Sequence, residues 1–229
     1  MSFVLGVDGC RAGWLALRLD LERPAIEAVV VESWPALPTA ETAMVAVDMP
    51  VGLAEAGPRD CDIAARQLLP PGRKSSVFPP PRRYMLACPD WRAAQDLGKA
   101  REGVGLSKQA WNISAKIREL DEALAPTDQA RVREVHPELV FHRLNDWRAL
   151  PPKRKPEGQA ARLALLRQAG LPSIAPWLDR FPRQAAGRDD VIDAAACAYA
   201  ARRLLSGEAE RLPPEPPRDG RGLRMEIWY

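Results

Sequence analysis

A mixed α/β sheet with acidic residues at its strand ends is the architecture this sequence predicts. Three observations lead there. An apolar run from Phe3 to Val7 stops at Asp8, and a second from Met44 to Val47 stops at Asp48-Met49-Pro50. Near the C-terminus an alanine-rich helical stretch opens with Asp190 and Asp193. Acids that share such positions in distant parts of a chain can converge on one point.

The elements follow in order. Phe3 to Val7 has the continuous apolar character of a buried central strand. Asp8-Gly9-Cys10-Arg11-Ala12-Gly13 is a tight turn, with glycines supplying backbone freedom. Trp14 to Asp20 alternates, with Leu15, Leu17 and Leu19 on one side and Ala16 and Arg18 on the other. Glu22-Arg23-Pro24 turns the chain into a third strand, Ile26 to Val31, so the first three strands form an antiparallel meander. A helical stretch from Ser33 to Thr42 then leads to the fourth strand. Because that connection contains a helix, the fourth strand can return parallel to the first. Proline cannot continue a central ladder, which places Asp48 at a strand end.

Residues 51–128 exceed a simple connection. They predict a helix at Arg59 to Leu69, a proline-rich stretch from Pro70 to Pro81, a helix near Asp90 to Arg101, and a longer one from Ser107 to Leu124. In the last, Ile113, Ile117 and Leu120 share a face and Ser107 is the N-cap. This segment is expected to be a helical insertion. Arg131 to Val135 is a short fifth strand, and Pro137 starts a helix. Further helices are expected at Glu157 to Gln168, Ala175 to Phe181 and Asp190 to Leu205. Pro213 to Pro217 is a stiff linker. The alternating tail Leu223 to Tyr229 is a possible edge strand, and a route to an oligomer. A meander of three strands, a crossover, a parallel strand and then more helices and a strand is the order of the ribonuclease-H-like fold. The expectation is a single such domain over residues 1–229, with a mixed five-stranded sheet, helices on both faces and the insertion at 51–128. The remainder, 207–229, holds the linker and the edge strand.

Bulk composition narrows the function. The chain has 229 residues, 46% hydrophobic and 28% charged, with a net charge of only +3. That suffices for a core and excludes an indiscriminately basic nucleic-acid coat, while permitting a local basic groove. No apolar stretch approaches the roughly 20 residues of a membrane span, and the apolar N-terminal run is too brief for a signal peptide. The four cysteines form no C-x-x-C and only His136 and His142 accompany them, so zinc is not expected. The expected setting is the cytoplasm, with reduced thiols.

The acids carry the chemistry. In open α/β sheets ligands sit at the strand ends, and the predicted strand order puts Asp8 beside Asp48. Asp190 and Asp193 are three apart, so they share a helical face in the first turn. Acids there also complement the helix dipole and cap free N–H groups, which suffices for Asp189. A tight carboxylate cluster repels itself and persists when a cation neutralises it. Asp8, Asp48, Asp190 and Asp193 are therefore the candidate ligands for Mg²⁺ or Mn²⁺, in a two-ion arrangement with about 3.5–4 Å between the ions. Glu134, at the end of the fifth strand, is a further candidate catalytic acid, and an arginine partner such as Arg131 or Arg133 accounts for it equally well.

Five motifs in order resemble an uncharacterised domain-of-unknown-function family described as predicted ribonuclease-H-like, RuvC-like nucleases. They are Gly6-Val7-Asp8-Gly9-Cys10-Arg11-Ala12-Gly13-Trp14, Asp48-Met49-Pro50-Val51-Gly52, the stretch from Arg73 to Arg82, Glu134-Val135-His136-Pro137-Glu138, and Asp189-Asp190-Val191-Ile192-Asp193-Ala194. Within the last, Asp190-x-x-Asp193-Ala194 also resembles the final motif of RuvC-type Holliday-junction resolvases, which implies that Asp190 and Asp193 both help bind metal. The resemblance implies a metal-dependent nuclease with a nucleic-acid partner and no membrane association.

Substrate contacts are expected from Arg11, Arg73, Ser75, Ser76, Arg82, Lys108 and His136. Arg73-Lys74-Ser75-Ser76 offers cations and small hydroxyls ahead of the extended Pro79-Pro80-Pro81 backbone. Ser107, Lys108 and Gln109 open a helix. Lys153-Arg154-Lys155, taken alone, is a solvated turn, with a wider nucleic-acid footprint as the alternative. Two other functions fit the same residues. One is nucleotide or small-phosphoester phosphotransfer or hydrolysis, since the first turn is loosely like the phosphate loop of sugar-kinase and actin-type ATPases. The other is a non-catalytic nucleic-acid-binding module.

Overall fold

The computed structural model describes residues 2–229. In chain order the elements are β1 (Phe3–Cys10), β2 (Gly13–Asp20), β3 (Ile26–Val31), β4 (Thr42–Asp48), α1 (Asp60–Leu68), α2 (Trp91–Glu102), α3 (Lys108–Asn112), α4 (Ser114–Ala123), β5 (Val132–Glu134), α5 (Pro137–Leu144), α6 (Pro156–Gln168), α7 (Arg188–Ser206), β6 (Arg211–Leu212) and β7 (Ile227–Trp228). They fall into two compact units. The first holds the chain up to Met49, Ala130–Arg211 and Trp228–Tyr229, and the second holds Pro50–Gln129 and Leu212–Ile227.

The first unit is built on a five-stranded sheet in the order β3-β2-β1-β4-β5. β1, β2 and β3 pair antiparallel, while β4 runs parallel to β1 and β5 parallel to β4. This mixed order is consistent with a ribonuclease-H-like fold. Val4, Leu5, Val7, Leu15, Leu17, Val45 and Val47 are buried in it. Each such side chain contributes about 1.5–3 kcal/mol relative to its exposed state.

Helix α7 covers one face of this sheet, against β1, β4 and β2. Its approach depends on small residues on both sides. A Cβ on Gly6 would stand 2.0 Å from the Ala194 carbonyl oxygen and 2.1 Å from the Ala198 nitrogen. Only glycine in β1, facing alanines in α7, permits that contact. Along a strand side chains alternate between faces, so Asp8 lies on the same face as Gly6, under the start of α7.

Several expected helices are shorter than predicted, and proline or serine chemistry explains each. Ser33 to Thr42 contains only a 3-10 turn at Trp34–Ala36. Pro38 biases the preceding Leu37 toward extended backbone, and Leu37 has φ −67° and ψ 140°. Ala175 to Phe181 keeps only a 3-10 turn, Ala175–Trp177, before Pro182. The predicted helix from Ser107 to Leu124 is two helices, broken at Ile113. Just after the break the Ser114 hydroxyl donates to the Ala110 carbonyl at 3.0 Å, a back-bond that bends helices. The C-terminal tail forms strand only at β7, which pairs with β6, and Trp228 bridges in parallel to Val135 at the edge of the main sheet.

The second unit contains α1 to α4 and the proline-rich stretch. Buried ion pairs recur in it. Arg59 grips Asp62 at 2.7 and 3.0 Å, and Arg83 binds both Asp121 and Asp219. No described helix is long and apolar enough to cross a membrane. No disulfide joins the four cysteines.

Candidate metal centre

Parallel pairing sets Asp8 directly opposite Asp48 in the β1–β4 ladder. Opposed residues in neighbouring strands share a face, so the two carboxylates leave the sheet side by side. Asp193, in the second turn of α7, arrives from above because Gly6 lets the helix settle onto β1. Ligand-capable oxygens of Asp8, Asp48 and Asp193 all lie within 4.8 Å of one another. Asp8 is only 8% exposed and Asp193 only 3%.

This concentration of negative charge perturbs every member. Burial pushes Asp8 well above the usual carboxylate range, and the charges of Asp48, Asp193 and Asp190 push it further, with Lys153 opposing. Asp48 is pushed up to about 7, first by burial and then by Asp193. Asp193 is raised by burial, against the pull of Lys153. The Cys197 thiol, one helical turn beyond Asp193, is held neutral by burial and by Asp48, Asp8 and Asp193.

Within the centre Lys153 is the cation that meets the acids, its Nζ 2.6 Å from Asp193 Oδ2. Burial disfavours its charge, but Asp193, Asp48 and Asp8 outweigh that and raise its pKa. Sequence reasoning missed this residue, because a lone lysine in a basic turn has no periodicity to place it. The other oxygen of the same carboxylate, Asp193 Oδ1, is buried with no hydrogen-bond partner. A buried carboxylate oxygen without a donor is costly, and a hard cation is the ligand that suits an all-oxygen set of this kind. The residues present fit a bound Mg²⁺ or Mn²⁺.

Two predicted acids stand outside the triad. Asp190 turns its Oδ2 to the Gly187 N–H at 2.8 Å, capping the helix start, while its charge still reaches Asp8 and Asp48. Its own pKa is raised, by burial first, with the Gly187 bond pulling the other way. Glu134 pairs in register with Val47, one residue short of Asp48. That parity directs it to the opposite face of the sheet from Asp8 and Asp48. Glu138, a residue passed over as a ligand or acid, lies near the centre and contributes to the raised pKa of Asp48 and Asp193. Arg162 holds it in a bidentate bond of 2.7 and 3.0 Å.

The expected substrate contacts divide between the units. In the first, Arg11 is exposed in the β1–β2 turn and donates to the Arg183 carbonyl at 3.4 Å. His136 is the N-cap of α5, and its carbonyl accepts from Leu139 N–H at 3.0 Å. In the β1–β2 turn the Ala12 N–H donates to the Ala185 carbonyl at 3.1 Å, so that amide is engaged within the protein. In the second unit, Arg73 accepts a 2.7 Å bond on its carbonyl from the Ser76 hydroxyl, and Ser75 is exposed. Lys108 is exposed and sits 4.9 Å from the centroid of the Trp91 ring. Arg82 is a correction. It is buried and spent on Glu102 at 3.2 Å, so it serves as internal structure rather than as a phosphate contact.

Fold and centre together define an α/β protein with a largely buried carboxylate triad, two acids from neighbouring parallel strands and one from α7, capable of holding a divalent cation. Residues 6–218 match the family described as "Protein of unknown function (DUF429)", and the chain belongs to that family. No curated protein and no solved structure matches the chain.

Proposed function

We propose that the protein is a divalent-metal-dependent hydrolase of phosphodiester bonds, with nucleic acid as its substrate. The observation that supports this most is the buried triad of Asp8, Asp48 and Asp193, whose oxygens converge within 4.8 Å while Asp193 Oδ1 lacks a partner. Asp8, Asp48 and Asp193 would hold Mg²⁺ or Mn²⁺, which lowers the pKa of bound water and offsets charge on a phosphoryl group. In the hydrolysis, a water oxygen adds to phosphorus as the ester P–O bond breaks. The water proton ends on the departing oxygen, giving a phosphomonoester and a hydroxyl. The chain's own part is to align the three carboxylates and hold them largely out of solvent, and the charge of a bound ion would favour their ionised form. The exposed Arg11 in the first unit, and the half-buried Arg73 and exposed Lys108 in the second, are the proposed contacts to the nucleic-acid backbone.

The test is cleavage of a panel of single-stranded, duplex, hybrid and branched nucleic acids with Mn²⁺. Wild type is expected to cut at least one class, and Asp8→Asn to cut none while keeping its fold by circular dichroism. Equal cleavage by Asp8→Asn would reject the assignment. Cleavage by neither, with small phosphoesters hydrolysed instead, would move the substrate to that class.

A further inference from the structure

Resting on the metal reading above, we infer that the centre takes one divalent cation rather than two, and that the Lys153 ammonium stands as the second cation. Three carboxylates and one ammonium leave a double negative charge, which one divalent ion cancels. Two other acids near the centre are already matched. Asp190 faces the Gly187 N–H at the positive end of α7, and Glu138 faces Arg162. The oxygens of Asp193 are divided the same way. Lys153 holds Oδ2 at 2.6 Å, and Oδ1 is buried and open to a ligand. A second ion bridging through Asp193 would have to displace the lysine.

The loop that carries Lys153 is built to hold it there. Arg162, fully buried, donates to the Pro151 carbonyl at 3.0 Å while its other amino group binds Glu138. Lys155 N–H donates to the Pro152 carbonyl at 3.0 Å. Gly158, in the first turn of α6, lies so close that a Cβ there would stand 2.0 Å from the Pro152 oxygen. Two prolines, a buried arginine and an obligate glycine thus fix the two residues before Lys153. A solvated turn needs none of this. With substrate bound, the ammonium would supply the second positive charge facing the phosphoryl oxygens, the position that an ion occupies in two-metal sites.

The experiment counts Mn²⁺ by loss of the free-ion electron paramagnetic resonance signal and by calorimetry, on the full chain. The proteins are wild type, Lys153→Met, Lys153→Gln and Lys153→Arg. Wild type is expected to bind one ion. Lys153→Met and Lys153→Gln should bind their first ion at least tenfold more tightly, since a competing cation has been removed. The glutamine variant keeps a donor for Asp193 and so separates charge from hydrogen bonding. Lys153→Arg should stay within about threefold of wild type. Two ions per wild-type chain would overturn the inference, as would unchanged affinity in both neutral variants. Absence of Mn²⁺ binding in wild type and in every variant is a different result. It would reject the metal reading itself, and the role given to Lys153 with it.

Discussion

The buried acids of the second unit and those of the metal centre are treated in opposite ways. Asp62, Asp219 and Glu226 are buried in the second unit, and each faces an arginine: Arg59, Arg83 and Arg224. Asp219 also accepts from the backbone N–H groups of Leu53, Arg221 and Leu223. In the first unit Asp8, Asp48 and Asp193 share a single lysine. The first arrangement sets an arginine against each of these acids and organises loops. The second leaves negative charge over, which costs stability unless something binds. A surplus of buried carboxylate is therefore the physical mark that separates a ligand site from a structural ion pair, and the chain contains both for comparison.

The strongest way to break the comparison is to turn a matched acid into an unmatched one. Arg162→Met leaves Glu138 buried beside the centre without its arginine, with only His142 Nδ1 nearby, at 3.8 Å. Removing one partner of a buried pair costs about 3–5 kcal/mol, so chemical denaturation should show a loss of that order. The double variant Arg162→Met with Glu138→Gln should recover much of it. If the single variant is as stable as wild type, pairing is not what keeps Glu138 tolerable, and the contrast fails.

A smaller effect comes from the packing that assembles the triad. Gly6→Ala introduces a Cβ at 2.0 Å from the Ala194 carbonyl oxygen, where backbone rather than a flexible side chain must move. Overpacking of this kind costs about 1–3 kcal/mol. Because α7 carries Asp193, Mn²⁺ affinity should fall more than tenfold while the sheet remains folded. Unchanged affinity would show that the triad does not depend on the close approach of helix to sheet.

Those two sites also show what the sequence made legible. Asp8 and Asp48 were readable because apolar runs end at them and Pro50 stops the second strand. Asp193 was readable because small residues follow it in a helix that must lie close to a strand. Asp190 was not separable from Asp193 by helical spacing, since a shared face permits both to reach the centre. A hydrogen bond to the Gly187 N–H decides between them. Glu134 was misplaced by a single step of register, which in a strand reverses the face. Lys153 lay beyond reach for a different reason. Its position follows from Arg162, Glu138 and Gly158 converging on one loop, and contacts of that kind leave no period in the chain. The helices expected at Ser33 to Thr42 and Ala175 to Phe181 shrink to 3-10 turns where proline limits the backbone.

The mildest test uses pH and leaves the sequence intact. Asp48 is raised to about 7 from an ordinary value of 3.8. Between those values the native protein holds a proton that the unfolded chain has released. Stability then falls as pH rises through that window and levels off above it. An aspartate in a matched pair behaves in reverse, gaining stability as pH rises. With a chelator present, the melting temperature of wild type should drop by a few degrees between about pH 5 and about pH 8. Asp48→Asn should flatten that slope and, at the higher pH, melt above wild type, since it removes one of three charges that share a single lysine. Mn²⁺ should reverse the wild-type trend, because the ion binds the ionised carboxylates and stabilises only the folded state. A melting temperature that climbs from pH 5 to pH 8 in chelator would mean that the acids of the centre are already compensated. The distinction between the two kinds of buried carboxylate would then have no energetic content.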